Sequence, residues 1–262
     1  MIMMEVVGYI GSIFIGVILG LLGGGGSILS IPILVYLFKI EPVTASAYSL
    51  FIVGTTSFVG AIPKYREHLV NIRTGFLFGI PSIASIFITR KWVVPAIPEV
   101  IISVNDFILT KRILLLGVFA LLMILASISM IRGRKEETNH HDVKVLLTIV
   151  EGVIIGSLTG LVGAGGGFLI IPALVFLTGL PFKTAVGTSL FIIAINSLIG
   201  FLGDVLNYSM DWLFLLSITT LAVGGIFIGN RLHKRFSAVH LRRVFGWFIL
   251  CMGTYILVKE LS

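Results

Sequence analysis

The sequence predicts an all-α polytopic integral membrane protein built from two homologous, inverted repeats. Each repeat is a glycine-broken helical hairpin followed by three further transmembrane helices. Three observations lead there. Of 262 residues, 57% are hydrophobic and only 12% charged, against about 25% charged in an ordinary soluble domain. The apolar residues come in continuous runs without period-two alternation, so helices rather than a barrel satisfy the backbone in lipid. And the chain overlays on itself at a shift of 140 residues, with 19 identities in the 41 positions from Gly20 to Gly60 against Gly160 to Gly200. Matched glycines, prolines and hydroxyls, such as Gly23/Gly163, Pro32/Pro172 and Ser49/Ser189, mark this as duplication and not as chance likeness of apolar sequence.

The first run, Val6–Leu22, follows "MIMME", which lacks the basic segment of a signal peptide, and is therefore expected to stay as a membrane helix. A second apolar stretch, Ser27–Phe38, follows at once. One helix over Val6–Phe38 would be about 50 Å long against a hydrocarbon core of about 30 Å. It must break, and Gly23–Gly26 is the place. Either both arms return to one face, or both cross, or the first crosses while the second dips and returns. Val43–Ile62, Ile72–Ile88 and Ile113–Ile131 complete the first repeat. Trp92–Thr110, with its prolines and acids, is expected to be an interfacial loop or short surface helix.

The polar stretch Arg132–Lys144 separates the halves, giving a first repeat over 1–134, a cytoplasmic linker over 135–144 and a second repeat over 145–262. His140 and His141 read as solvated linker and not as a metal site, since zinc wants about four ligands. The second repeat offers Val145–Val162, Gly167–Thr178, Lys183–Leu202, Trp212–Ile228 and Val244–Val258. Glu151 falls within the first of these; the reading favoured starts that helix nearer Glu151 and leaves the acid at the interface, against a proton-coupling role. Asn71, Asp204 and Asp211 read as helix caps in loops, His68 as solvated loop, and Cys251, the single cysteine, as a small core residue.

Lys and Arg choose between the hairpin arrangements. An odd number of crossings per repeat divides the cations 13 to 6 between the two faces; an even number divides them 11 to 8. The positive-inside rule favours the odd case, hence inverted repeats with both termini outside. The net charge of +7 thus orients the protein and carries no nucleic-acid signal.

Each glycine cluster opens a short helix, and a helix start offers unpaired N–H groups and about half a positive charge, an anion site without a buried cation. Inverted repeats bring two such starts together, as secondary transporters do. The expected substrate-binding residues are Gly23, Gly24, Gly25, Gly26, Ser27 and Ser49 from the first repeat. Gly163, Gly165, Gly166, Gly167, Thr188, Ser189 and Asn196 come from the second. Close packing of helices is the competing use of the same small residues. Pro32 and Pro172 fall near the first turns of the short helices and either free backbone groups or tolerate a kink. The clusters lack the third glycine of a dinucleotide fingerprint. No buried Ser–His, paired-Asp or metal-ligand set stands in the runs, which disfavours an enzyme.

The duplicated cluster with its downstream Leu and Pro, "GAGGGFLIIPAL" in the second copy (Gly163, Gly165, Gly166, Gly167, Leu169, Pro172 and Leu174), and "TAVGTSLF" (Thr184–Phe191) resemble the TauE/SafE family of sulfite exporters and sulfonate permeases. Ser27 replaces the last glycine in the first copy. The resemblance covers nearly the whole chain. It implies transport of sulfur-containing anions (sulfite, thiosulfate or organosulfonates) across the inner membrane. The expectation is therefore a secondary transporter in the lipid bilayer, working by alternating access on a small anionic substrate, with no cofactor and no metal. A coupling ion (proton or sodium) and a homo-oligomer are left open, and a passive anion channel is the alternative.

Overall fold

A computed structural model of the chain describes residues 2–104, 107–132, 145–162, 167–176, 178–205 and 210–261. The linker over 135–144 and the glycines Gly163, Gly165 and Gly166 lie outside the described residues.

The first repeat contains α1 (Ile2–Leu22), α2 (Gly26–Pro32), α3 (Pro42–Arg66), α4 (Ile72–Ile88), the short α5 (Val94–Ala96) and α6 (Lys111–Arg132). The second contains α7 (Val145–Val162), α8 (Gly167–Phe176), α9 (Phe182–Val205), α10 (Trp212–His233) and α11 (Ala238–Leu261). Among the described residues, 6 helices are long and apolar enough to cross a membrane, and shorter apolar helices cover Val6–Leu22, Gly26–Leu37 and Val145–Leu161. Large apolar side chains face outward, among them Leu213, Leu146, Ile80 and Leu202. That much apolar surface suits lipid and not water.

Where α2 ends, its helix widens. Pro32 has no N–H to give to the preceding turn, and Ile33–Leu37 continues with π geometry, Phe38 N–H donating to Ile33 O at 3.2 Å. α4 likewise runs on through a π turn over Thr89–Val93 into α5. The stretch expected as loop or surface helix then forms a hairpin instead: β1 (Val100–Val104) pairs antiparallel with β2 (Phe107–Thr110). The β-branched and aromatic residues of "VIISV" and "FILT" outweigh the acids around them.

The duplication is visible in local bonds. Ile40 N–H donates to Leu34 O and Leu180 N–H to Leu174 O, both at 3.0 Å and 140 residues apart. The residue before each takes a left-handed backbone, Gly179 at φ 70° and Lys39 at φ 57°. A side chain in that conformation costs about 1 kcal/mol or somewhat more. Lys39→Gly is therefore expected to stabilise the protein by about 0.5–1 kcal/mol after the entropy glycine loses on folding, read as a rise in thermal unfolding midpoint. Asn71 and Asp211, also equivalent, cap α4 and α10 as expected, accepting from Thr74 N–H (3.0 Å) and Phe214 N–H (3.1 Å). Each cap's own N–H donates across to the other repeat, Asn71 to Thr188 Oγ1 at 2.9 Å and Asp211 to Tyr48 Oη at 2.8 Å. Thr188 and Tyr48 are again equivalent positions.

The repeats are interleaved. α1 packs on α10 and α4 on α7, so the first helix of each half lies against the third span of the other. Gly16 and Gly20 meet the backbone of α10, and Gly225 and Gly229 meet that of α1. Gly152 and Gly156 do the same against Phe78 and Ser82 of α4. Small residues four apart let helices approach this closely. These contacts rise together along both helices of each pair, so α1 is parallel to α10 and α7 to α4. α3 and α9 cross antiparallel, Gly54 lying on Leu198 and Gly60 near Leu190. α6 and α11 are antiparallel too, with Gly246 on Ile131 and Gly253 on Met123. Cys251 is exposed, not buried. It lies on the side of α11 away from the face (Gly246, Gly253) that meets α6.

Candidate functional site

The first hairpin returns on itself: Gly26 packs on Ile15 and Leu19, Ile33 on Gly11, and Phe38 on Gly8. The two arms are therefore antiparallel, and their outer ends lie together at one end of the bundle. The turn is made by Gly23, whose φ of 71° only glycine adopts without strain. A methyl on Gly23 would stand 2.8 Å from Ser189 Oγ of the other repeat. One residue on, Gly24 touches the start of α8. A methyl on Gly167 would come within 2.6 Å of Gly24 Cα and 2.5 Å of Ile193, near the middle of α9. Gly24 and Gly167 thus meet backbone to backbone, with no room for a side chain between them.

The other expected residues surround this contact. Gly25 packs on Phe245 and Ile18. Ser27 Oγ donates to Gly24 O (2.6 Å), and Ser49 Oγ lies 2.5 Å from Ser30 Oγ, which in turn reaches Ser27 O (2.8 Å). Ser189 Oγ donates to Val186 O (2.8 Å). Asn196 Nδ2 donates to Ser82 Oγ (2.8 Å), leaving its buried Oδ1 without a partner among the described residues. Thr56, Ser57 and Ser197, on the same central stretch of α3 and α9, are also fully buried, and their hydroxyls lack partners too. Polar groups left this way inside a packed bundle are costly and ask for a visiting ligand or water.

Two charged clusters flank the core, and the sequence reading passed over both. At the end where α4 and α9 finish, Arg90 forms an ion pair with Asp204 and a hydrogen bond to Ser46. Both charged side chains are 11% exposed. Asp204 is therefore not a loop cap but a buried partner within α9, the helix running on to Val205. A small pocket lies here, bounded by Ser46, Arg90, Asp204, Lys111 and the end of α7. At the opposite end of α3, Lys64 is 1% exposed on a helix that continues to Arg66, next to Asn230 of α10. His233 Nδ1 donates to Leu21 O at 2.7 Å, tying α10 to the end of α1. Hydropathy runs stop at the first cation, so both clusters read as loop charge in the sequence. The signal that could have found them is the repeat itself, whose shift lays Lys64 over Asp204 and Arg90 over Asn230.

Glu151 differs from its expectation as well. α7 begins at Val145, so the acid stands inside the helix, 6% exposed. His68 closes α3 with φ 56° in a partly exposed turn, as a solvated loop would.

A family model described as "Sulfite exporter TauE/SafE" matches residues 9–256. A "Probable membrane transporter protein" of Xylella fastidiosa is 30% identical over 94% of this chain and 92% of its own length. The "Probable membrane transporter protein YjnA" of Bacillus subtilis is 28% identical over 92% and 95%. The "Probable membrane transporter protein MJ0441" of Methanocaldococcus jannaschii is 24% identical over 94% of each chain. No solved structure matches the chain.

Proposed function

The chain belongs to the sulfite exporter TauE/SafE family, and from that premise we propose that this multi-pass membrane transporter moves a small sulfur-containing oxyanion across the cytoplasmic membrane by alternating access. Sulfite, thiosulfate and organosulfonates are the candidates. The observation that carries the reading is the meeting of Gly24, in the turn of the first hairpin, with Gly167, the first residue of α8, inside the bundle between two charged ends. The opposed directions of α3 and α9, and of α6 and α11, support inverted repeats, since a two-fold axis in the membrane plane reverses every equivalent helix.

Such a pair of halves has two related packings, one opening each end. In the state described, the Arg90–Asp204 pair bridges α4 and α9 at one end and holds α3 through Ser46. Separation of Gly24 from Gly167 would expose the backbone N–H groups at the start of α2 and the polar stretch around Asn196. Those donors suit an oxyanion, whose charge the helix starts also favour. No ATP-binding motif stands in the sequence, so the cycle draws on an ion gradient, the substrate gradient or a partner chain.

Proteoliposomes holding the purified protein test this with radiolabelled sulfite, thiosulfate and a short sulfonate. Saturable uptake is expected, accelerated by unlabelled substrate on the far side. Flux that never saturates and shows no exchange would make the protein a passive channel. Absence of protein-dependent flux for all three anions would end the transport reading.

A further inference from the structure

The two ends of the bundle are equivalent by sequence and unlike in charge. Asp204 of α9 corresponds to Lys64 of α3, and Arg90 after α4 corresponds to Asn230 of α10. At the Asp204 end, cation and anion neutralise each other. At the Lys64 end, an amide stands where the balancing charge would be. Lys64 Nζ has no hydrogen-bond partner among the described residues, although the residue is 1% exposed. Glu67 is the acid nearby, and its Oε1 is held by Lys234 Nζ at 2.6 Å. Asn230 contributes a buried Oδ1 without a partner, and its Nδ2 makes only a long 3.5 Å contact to Gly60 O.

Lys64 and Asn230 line a pocket open to solvent together with Glu67, Phe227, Arg231 and Lys234. Three cations against one acid border it. An ammonium taken out of water without a counter-ion is costly, and an isolated buried charge demands pairing. We propose that this pocket binds a small oxyanion carrying up to two negative charges, with Lys64 Nζ as its ion-pair partner and the Asn230 amide, turned to present its N–H₂, as a second donor. The arrangement deepens the transport reading and rests on it for the anion's identity: the Lys64 end captures the substrate, while at the other end Arg90 is paired with Asp204 and Lys111 with Glu99, and that end does not. Arg231 and Lys234, nearer solvent, steer the anion inward.

The test uses the full chain in phosphatidylcholine nanodiscs, titrated with sodium sulfite, thiosulfate or sulfate against chloride at matched ionic strength. Calorimetric binding and the thermal midpoint are read together. Wild type is expected to bind one of the oxyanions saturably and to rise in midpoint. Lys64→Met should bind at least about tenfold more weakly, a loss of about 1.4 kcal/mol. Without anion it should melt no lower than wild type, because it removes an unpaired charge. Lys64→Arg should keep binding within several-fold. An unchanged affinity in Lys64→Met, or no oxyanion response in wild type, overturns the site. Repeating the titration with phosphatidylglycerol present separates a free ion from a lipid headgroup: retained response supports the soluble ion, and its loss gives the pocket to lipid phosphate and overturns the proposal. Flux that survives beside unaltered Lys64→Met binding sinks this site alone. Binding without flux in wild type sinks the transport reading alone.

Discussion

Arg90→Met is expected to destabilise the protein by about 3–5 kcal/mol, the cost of leaving one member of a buried ion pair uncompensated. Arg90 and Asp204 are each 11% exposed, and Ser46 loses its partner as well. The stranded Asp204 carboxylate then sits against Val94, Leu115 and Leu161 around the pocket, with Lys111 the remaining cation there. Asp204→Leu in the same chain should return the stability to within about 1 kcal/mol of wild type, since replacing both members of a buried pair by apolar groups is often neutral. Denaturant unfolding of the purified single and double variants measures this. If Arg90→Met unfolds within about 1 kcal/mol of wild type, the pair is solvated and does not bridge α4 to α9. The double variant also isolates function: a fold without the bridge should hold that end closed less firmly and leak substrate down its gradient.

Gly24→Val is expected to lower the flux of the transported anion at least about tenfold, equivalent to about 1.4 kcal/mol on the limiting step. The first carbon of any side chain at Gly24 overlaps the carbonyl of Gly167. Backbone cannot step aside as the end of a long side chain can, so Gly24 and Gly167 must part. Overpacking of this kind costs about 1–3 kcal/mol, and here the strain falls on the point where the halves touch. Gly79→Ala and Gly224→Ala are the controls, since a methyl at either position meets nothing within 4 Å. Both should insert and transport as wild type does. Undiminished flux in Gly24→Val would show that contact between the two glycines plays no part in the cycle.

Much of this architecture could be read from the sequence for definite reasons. The span cores follow from hydropathy because lipid forces every backbone group into internal pairing. The repeat follows from matched glycines and prolines, and the caps Asn71 and Asp211 from side-chain chemistry that is local to three residues. What stayed hidden depends on partners distant in sequence. Arg90 and Asp204 are 114 positions apart, and each alone looks like the charged end of a span. Lys64 was hidden in the same way, because a lysine just past an apolar run normally reaches water. The burial of Glu151 was missed because an acid seven residues into a run gives no sign of how deep the helix begins. The hairpin of β1 and β2 was legible in principle, two β-rich stretches around Asn105–Asp106, but prolines nearby drew the reading toward loop. Of the candidate site, Gly23, Gly24 and Gly167 are brought together, while Ser27, Ser49 and Ser189 spend their hydroxyls on bonds close to home.

The interleaving of α1 with α10 bears on how the chain is made. A ribosome adding about 5–20 residues per second needs roughly 10–40 s after α1 emerges before α10 begins to follow. Throughout that interval Gly16 and Gly20 have no mate from their own molecule, and the hairpin sits in the bilayer half-dressed. Two nascent copies growing on one polysome carry the same bare stripe, and the later helix of either would fit it.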